Sequence, residues 1–226
     1  MVDISIFTPV YNAEQYIKEC IESVLSQKFK GTWEWIIVDD GSTDRTIEII
    51  KEYNDERIKL FENEHLGLVL ASNFALENCT GKYCARIDAD DIMMPNRLQK
   101  QFDFMESHPE FAITCGLARI QRGPLKFTTG IRNKEIKMPL LMFAYPIAHS
   151  SVMMLKEKDF RYNKDYEWAE DVELWARALS NGERIFSIDD VFATCRIHGE
   201  NIMITKHEAN KELRQQVKRE YFFNKK

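Results

Sequence analysis

The chain has 226 residues, 44% of them hydrophobic and 30% charged, with few glycines and prolines, so it can bury a sizeable core in one domain or in one domain with an elaboration. A formal net charge of −5 carries no polyanion-binding signal and argues against nucleic acid as a partner. Five cysteines (20, 79, 84, 115 and 195) form neither CxxC pairs nor a disulfide framework and are expected as buried free thiols in a reducing compartment.

In chain order, Ile4-Ser5-Ile6-Phe7 reads as a buried strand that Pro9 is expected to end, because proline cannot donate to a ladder. Asn12 is a candidate helix cap with Gln15 as its capping-box partner, and Ile17, Ile21, Val24 and Leu25 recur at helical spacing between about Ala13 and Gln27. Trp33 to Val38 is a second strand, followed by Asp39-Asp40-Gly41-Ser42-Thr43-Asp44 and a helix through Ile47, Ile50 and Tyr53. Ile58 to Phe61 is a third strand, Gly67 to Asn78 a helix, and Tyr83 to Ile87 a fourth strand. This alternation predicts a parallel sheet with right-handed crossovers. Beyond it come a helix after Pro95 (Leu98, Phe102, Met105), a strand Phe111 to Cys115, and a weakly patterned basic ribbon or loop from Gly116 to Met138. An apolar helix Leu140 to Tyr145 and a strand Ser150 to Leu155 follow. Next are a helix beginning near Trp168-Ala169-Glu170-Asp171, two short strands (Phe186 to Ile188 and Val191 to Arg196), and a charged tail helix from Lys206. No apolar run approaches membrane-spanning length, and Met1-Val2-Asp3-Ile4 already reads as a strand with no room for a signal peptide, so a cytoplasmic protein is expected.

The fourth strand discharges three carboxylates into four positions, Asp88, Asp90 and Asp91. Like charges this close repel, and aspartate is a poor strand residue. A cation, or a ligand carrying one, makes such a cluster favourable, and hard oxygen donors select Mg²⁺ or Mn²⁺. Taken alone, the stretch also fits a solvated Asp-rich turn. Two strand ends, at Val38 and Ile87, carry acids at the carboxyl edge where open α/β sheets bind ligands, and this repetition favours a site.

Three landmarks stand in order: Thr8-Pro9-Val10-Tyr11-Asn12, Val38-Asp39-Asp40-Gly41-Ser42-Thr43-Asp44 and Asp88-Ala89-Asp90-Asp91. Glu170-Asp171 at a helix start and Arg196-Ile197-His198 follow. From Ile4 to about Asn201 the chain resembles the inverting glycosyltransferases of family 2, which have the GT-A fold. The resemblance implies an α/β fold with a Rossmann-like, mostly parallel central sheet flanked by helices and a less regular acceptor side. In this reading residues 1–205 are one domain, with a nucleotide-sugar half (1–115) and an acceptor half (116–205), and 206–226 form a charged tail. The resemblance further implies a nucleotide-diphospho-sugar donor, a divalent metal (Mn²⁺ or Mg²⁺) and direct displacement at the anomeric carbon.

Carried over residue by residue, Pro9 and Tyr11 line the base pocket and Asp40 hydrogen-bonds the base, typically uracil. Asp88 contacts the ribose or the metal, Asp90 ligates the metal, Asp91 supports it, and His198 joins from the diphosphate side. Asp171 matches the general base, with Glu170 its close competitor; an N-terminal helix acid is the structural reading of either. Trp168 is a candidate sugar platform, Trp175 falls on the apolar stripe, and His149 is either an acceptor-side residue or a satisfied structural histidine. The Gln/Arg-x-x-Arg-Trp signature of processive synthases and their membrane helices are absent, so addition of one sugar is expected, to a glycan or lipid-linked glycan acceptor of the cell surface. The reading leaves open a peripheral membrane association and an oligomer. Two rivals belong to other classes: a Mg²⁺-binding phosphoacceptor domain, disfavoured by length and by Tyr11 and His198, and a catalytically silent nucleotide-sugar binder.

Overall fold

β1 (Ile4–Val10) is buried along its whole length in the interior of the sheet. Successive strand side chains point to opposite faces, and β1 feeds two cores: Ile4, Ile6 and Val10 enter one, Phe7 the other. β2 (Trp33–Asp39) and β4 (Tyr83–Arg86) pair with β1 in parallel on either side, and β3 (Ile58–Glu62) lies outside β2. The connecting helices divide between the faces. α1 (Ile17–Leu25) and α2 (Thr46–Lys51) cover the Ile6 face with Ile17, Ile21, Val24 and Ile50, whereas α3 (Leu68–Asn78) covers the Phe7 face with Val69, Ala75 and Leu76. The computed structural model describes residues 2–144, 146–199 and 201–223; Met1, Tyr145, Glu200 and 224–226, which include the expected chain start and the expected end of the apolar helix, lie outside the described residues.

β5 (Ile92–Met93), α4 (Arg97–Ser107), β6 (Ile113–Arg122), β7 (Leu125–Thr129), β8 (Lys134–Ile136) and α5 (Met138–Ala144) follow. Then come β9 (Met153–Leu155), α6 (Glu170–Ser180), β10 (Ile185–Arg196), α7 (Ile202–Thr205) and α8 (His207–Lys218). The sheet order is β3-β2-β1-β4-β9-β6-β10-β5, with β7 added to β6 and β8 to β10. Its first four strands are parallel; β9 is antiparallel to β4 and β6, and β10 is parallel to β6. The tail is part of the fold: Val217 is buried and Leu213 and Tyr221 pack against the same core as α3 and α6.

Several sequence expectations are corrected. β1 continues through Pro9 to Val10, in register with Val38 and Asp39. Val10 O accepts from Asp40 N, so the polar groups of Val10 face β2 and those of Pro9 face the β4 side, where β4 has already ended at Arg86. The missing N–H therefore costs no ladder bond. Asn12 does not cap α1. Its φ is +47° and its Oδ1 accepts from Thr43 N, so the helix begins only at Ile17. The two expected strands around Asp189-Asp190 are one, β10, with the acids absorbed as a bulge between Ile188 and Ala193. Part of the weakly patterned segment is a hairpin, β6–β7, turning at Gly123 (φ +56°) and Pro124. Four cysteines are buried as expected, but Cys195 is half-buried; all five are free.

One buried cation spans the junction of the two sheet halves. Arg97 is fully buried, and its guanidinium donates to Ser150 O (2.6 Å), Val152 O (2.8 Å) and Gln101 Oε1 (2.8 Å). Burial pulls its pKa down to about 9, which leaves it charged at neutral pH. Arg97→Met strands the buried Ser150 carbonyl and the Gln101 side-chain oxygen, whereas Val152 O keeps the bond from Arg86 N. The expected loss is roughly 2–4 kcal/mol of unfolding free energy, read from urea denaturation; a loss below about 0.5 kcal/mol would show that these bonds contribute nothing net.

Candidate active site

β4 ends where its side chains turn back on the turn that follows. Arg86, 2% exposed, donates from Nε to Asp88 Oδ1 (2.8 Å) and from Nη1 to Ser72 Oγ (3.0 Å), and lies over the rings of Phe7 (5.7 Å) and Tyr162 (5.5 Å). Ser150 Oγ accepts from Asp88 N (3.1 Å), and Asp91 N donates to Asp88 O (3.0 Å) to close the turn. Burial pushes the Asp88 pKa up, but the Arg86 guanidinium and His149 outweigh it and hold the carboxyl below its usual range. Asp90 is raised by burial and by the charge of Asp88, and Asp91 is raised well above the usual range by burial and by both neighbours. Asp91 is 5% exposed and accepts from Arg196 N (3.1 Å), so it anchors β10 to the turn instead of offering a surface to a sugar.

The end of β10 supplies the partners. Arg196 donates through Nε to Asp90 O, through Nη1 to Glu19 Oε2 (2.9 Å) and through Nη2 to Tyr16 O (3.0 Å), fastening the last strand to the first helix. His198 stacks on Tyr16 (ring centroids 4.2 Å apart), and its Nε2 is 3.0 Å from Asp90 Oδ2. Asn201 Nδ2 donates to the same oxygen (2.9 Å). Asp90 and His198, far apart in the chain, are thus neighbours. Sequence reasoning gave no role to Arg86, Arg196 or Asn201, although each lies beside or within a quoted motif.

At the other strand end the two aspartates divide. Asp40 is buried and its carboxylate accepts from Leu66 N (2.8 Å) and Gly67 N (3.0 Å), with His65 Nδ1 at 2.9 Å. Its lone pairs hold the turn that starts α3, so the base contact expected of Asp40 meets an acid already engaged. Asp39 Oδ2 accepts from Gly41 N (3.0 Å) and Ser42 N (2.9 Å), whereas its Oδ1 is buried with no partner among the described residues. Gly41 has φ +79°, and a Cβ there would stand 2.9 Å from His65 N, so only glycine fits between the two segments. Tyr11 is half-exposed and stacks on His65 at 4.3 Å, while Pro9 is buried in β1.

The third wall is the start of α6. Asn73 of α3 clamps the preceding segment by accepting from Tyr162 N (2.8 Å) and donating to Tyr162 O (2.9 Å). His149 Nε2 is 2.7 Å from Tyr162 Oη; burial, with Arg86, lowers its pKa to about 4 and keeps the imidazole neutral. His149 meets Trp175 of α6 edge-on (ring centroids 5.9 Å apart), and the next residue, Ser150, is bonded to Asp88 N, so His149 lies between the acid turn and α6. Trp168 is half-buried, with φ +81°, a conformation that side chains of its size rarely adopt. Its carbonyl accepts from Asn210 of α8, and Lys206 lies 5.4 Å over its ring. Glu170 is buried, and its pKa is pushed up to about 7 by burial and then by the neighbouring Asp171 charge. Asp171 is half-exposed, with Oδ1 accepting from Val172 N (2.7 Å). Trp175 is in the core.

Among the described residues no group of three or more His, Cys, Asp or Glu is arranged to hold a metal by itself. The donors present nevertheless suit a hard divalent cation whose remaining ligands are phosphate and water. Asp90 is driven up in pKa by burial and by the charge of Asp88, a repulsion that a cation relieves, and His198 brings its Nε2 to within 3.0 Å of Asp90 Oδ2 at the same point.

Residues 5–162 match the model of the family described as Glycosyl transferase family 2. The chain is 34% identical over 208 residues to the putative glycosyltransferase EpsE of Bacillus subtilis (strain 168), covering 85% of this chain and 72% of that protein. It is 33% identical over 216 residues to the putative teichuronic acid biosynthesis glycosyltransferase TuaG of the same organism, covering 92% and 84%. Among solved structures, TarS 1-349 of S. aureus in complex with UDP-GlcNAc superposes with a TM-score of 0.76 at 21% identity, over 97% of this chain and 66% of that one. The mannosyltransferase PcManGT of Pyrobaculum calidifontis, in complex with GDP-Man and Mn²⁺, gives 0.73 at 18% identity, over 99% and 65%. The chain thus spans about two thirds of the length of these structures, which share its fold. A match over most of the length, together with relatives more than 30% identical, shows that the chain belongs to glycosyl transferase family 2.

Proposed function

We propose that this chain transfers one sugar from a nucleotide-diphospho-sugar, a UDP-sugar, to a hydroxyl of a glycan or lipid-linked glycan, with inversion at the anomeric carbon, in the assembly of a cell-surface polysaccharide. The observation that carries the reading is the convergence of Asp90 and His198 beside Asp88 at one strand edge, with His149 linking that edge to α6, the helix that Glu170 and Asp171 begin. The UDP-GlcNAc complex of TarS supports a uridine donor, and the name of TuaG supports the polysaccharide setting. A cytoplasmic site of action, with the protein at the inner face of the membrane, goes with a lipid-linked acceptor. Residues 1–115 serve the donor and 116–205 the acceptor.

Asp39, with an oxygen free, is assigned to the base edge in place of Asp40, and Tyr11 to the face of the base. Asp88 and Asp90, with His198, would hold a divalent cation, Mn²⁺ or Mg²⁺; the Mn²⁺ complex of the mannosyltransferase supports it. Such a cation supplies, when bound, Lewis-acid stabilisation of the departing diphosphate. Arg86 keeps Asp88 ionised and fixed. Asp171 takes the proton of the attacking hydroxyl: it is half-exposed, one oxygen is held by its own helix, and the other is available. Glu170 is buried, so an acceptor hydroxyl reaches it less readily than half-exposed Asp171. Trp168 is the platform for a sugar ring.

The test is release of free nucleotide from a panel of nucleotide-sugars with Mn²⁺. Absence of donor binding with metal present overturns the reading, and binding without turnover over a wide acceptor panel leaves a silent binder. Asp90→Ala is expected to abolish metal-dependent donor binding. Asp171→Asn should keep donor binding and lose roughly 100-fold or more in transfer; normal transfer by this variant hands the role to Glu170. Asp39→Asn should weaken UDP binding about ten-fold in calorimetry, while Asp40→Asn should act mainly on stability; the reverse pattern restores Asp40 as the base reader.

The pKa of Glu170 also sets a pH dependence. Its folded value, about 7, lies above the ordinary 4.5, so the stability contributed by the protonated form is complete below pH 4.5 and lost as the pH rises through 7. Glu170→Gln should flatten the fall in unfolding free energy over that window by up to a few kcal/mol. An unchanged slope would mean that Glu170 titrates normally.

A further inference from the structure

The β6–β7 hairpin leaves the sheet at the edge that carries the acids. Gln121 of β6 stands opposite Arg196 of β10, and Ile197 N donates to Gln121 O (2.7 Å), so the hairpin rises immediately beside His198. Arg122 pairs with Leu125 and Ile120 with Phe127, which puts these four on one face, with Arg119, Gln121, Lys126 and Thr128 on the other. Every residue of β7 is exposed; Leu125 is 67% and Phe127 59% accessible, and neither belongs to a hydrophobic core.

The charge is equally distinctive. From Arg119 to Lys137 there are six basic residues and a single acid, Glu135, in a chain of net charge −5. Arg132 pairs with Asp189 and Lys137 with Glu135, but Arg119, Arg122, Lys126 and Lys134 form no salt bridge among the described residues. Folding does not account for two large apolar side chains in water among unpaired cations. A soluble polyanion would engage the cations and leave Leu125 and Phe127 in solvent. The surface of an acidic bilayer takes both, with apolar groups entering the headgroup boundary and cations facing the phosphates.

We propose that the β6–β7 hairpin docks this protein on membranes of acidic phospholipid and turns the carboxylate edge of the sheet toward the bilayer. This deepens the transferase reading by bringing the acceptor side to the lipid surface, and it is tested without sugar transfer.

The full chain is sedimented with vesicles of phosphatidylcholine alone or mixed with phosphatidylglycerol, at low and high salt. Binding is expected to the acidic vesicles only and to weaken with salt. Arg122→Gln and Lys126→Gln should each lower affinity roughly five-fold at low salt, and Leu125→Ser with Phe127→Ser more than about ten-fold. All four positions are exposed, so urea midpoints and nucleotide release with a soluble acceptor should stay as in the unmodified chain. Equal binding to neutral and acidic vesicles, or unchanged binding by the hairpin variants, overturns the proposal. So does binding lost on Lys211→Gln with Arg219→Gln in the tail but kept in the hairpin variants. Hairpin variants that instead abolish self-association in sedimentation velocity, without vesicle binding by the parent, assign the surface to a second copy. Vesicle binding without nucleotide release rejects the transferase reading alone; nucleotide release without vesicle binding rejects the docking proposal alone.

Discussion

Three carboxyl groups forced together at the end of one short strand are the constraint around which the molecule is arranged. Their repulsion is not relieved by solvent, because Asp91 is buried and Asp90 and Asp88 are only partly open. Each is met differently. Asp88 takes a buried guanidinium from its own strand, Asp90 an imidazole and an amide from beyond β10, and Asp91 a backbone N–H. The elements that supply these partners are thereby fixed: α3 through Ser72, α1 through Tyr16 and Glu19, and β10 through Arg196. Buried ionic groups held this way contribute little net stability, and removal of one partner is costly. The cluster therefore reads as a functional arrangement that the surrounding apolar cores sustain.

Around this cluster the sheet divides the labour by strand direction. The parallel strands β3-β2-β1-β4 bring two sets of acids to one edge, whereas the mixed strands beyond β4 carry the residues that face them. Arg97 bridges the two regimes by satisfying carbonyls at Ser150 and Val152, just before the chain pairs with β4. The strained backbone at Trp168 is stabilised from outside the sheet, by Asn210 of the tail helix.

Much of this was legible in the sequence. The acids at Val38 and Ile87 and the alternation of the first ninety or so residues needed only periodicity and the chemistry of carboxylates, whereas Arg196-Ile197-His198 was legible only through the family resemblance. What could not be read depended on side-chain direction. Asp39 continues the parity of Trp35 and Ile37 and Asp40 that of Val38, so only Asp40 faces the start of α3 and is consumed by its amides. Pro9 looked like a strand end because the early termination of β4 beside it is a tertiary fact. β7 alternates only from Leu125 to Thr128, and none of its residues is buried, so neither face is marked as a core face. Arg86 sat inside the quoted stretch, but its role required knowing that Ser72, Phe7 and Tyr162 close over it.

The brace between the first helix and the last strand has a consequence for how the protein is made. Asp90 precedes His198 by 108 positions, and Asp91 precedes Arg196 by 105. At about 5–20 residues per second, a ribosome completes the acid turn roughly 5–20 s before its compensating groups exist. During that interval the parallel half can form, since its strands and helices are contiguous in sequence, but its carboxyl edge carries mutually repelling acids with only Arg86 to offset them. The nascent half is thus an acidic, incomplete sheet; the arrival of Arg196 and His198 closes its acid edge, and the tail helix with Val217 then completes the core.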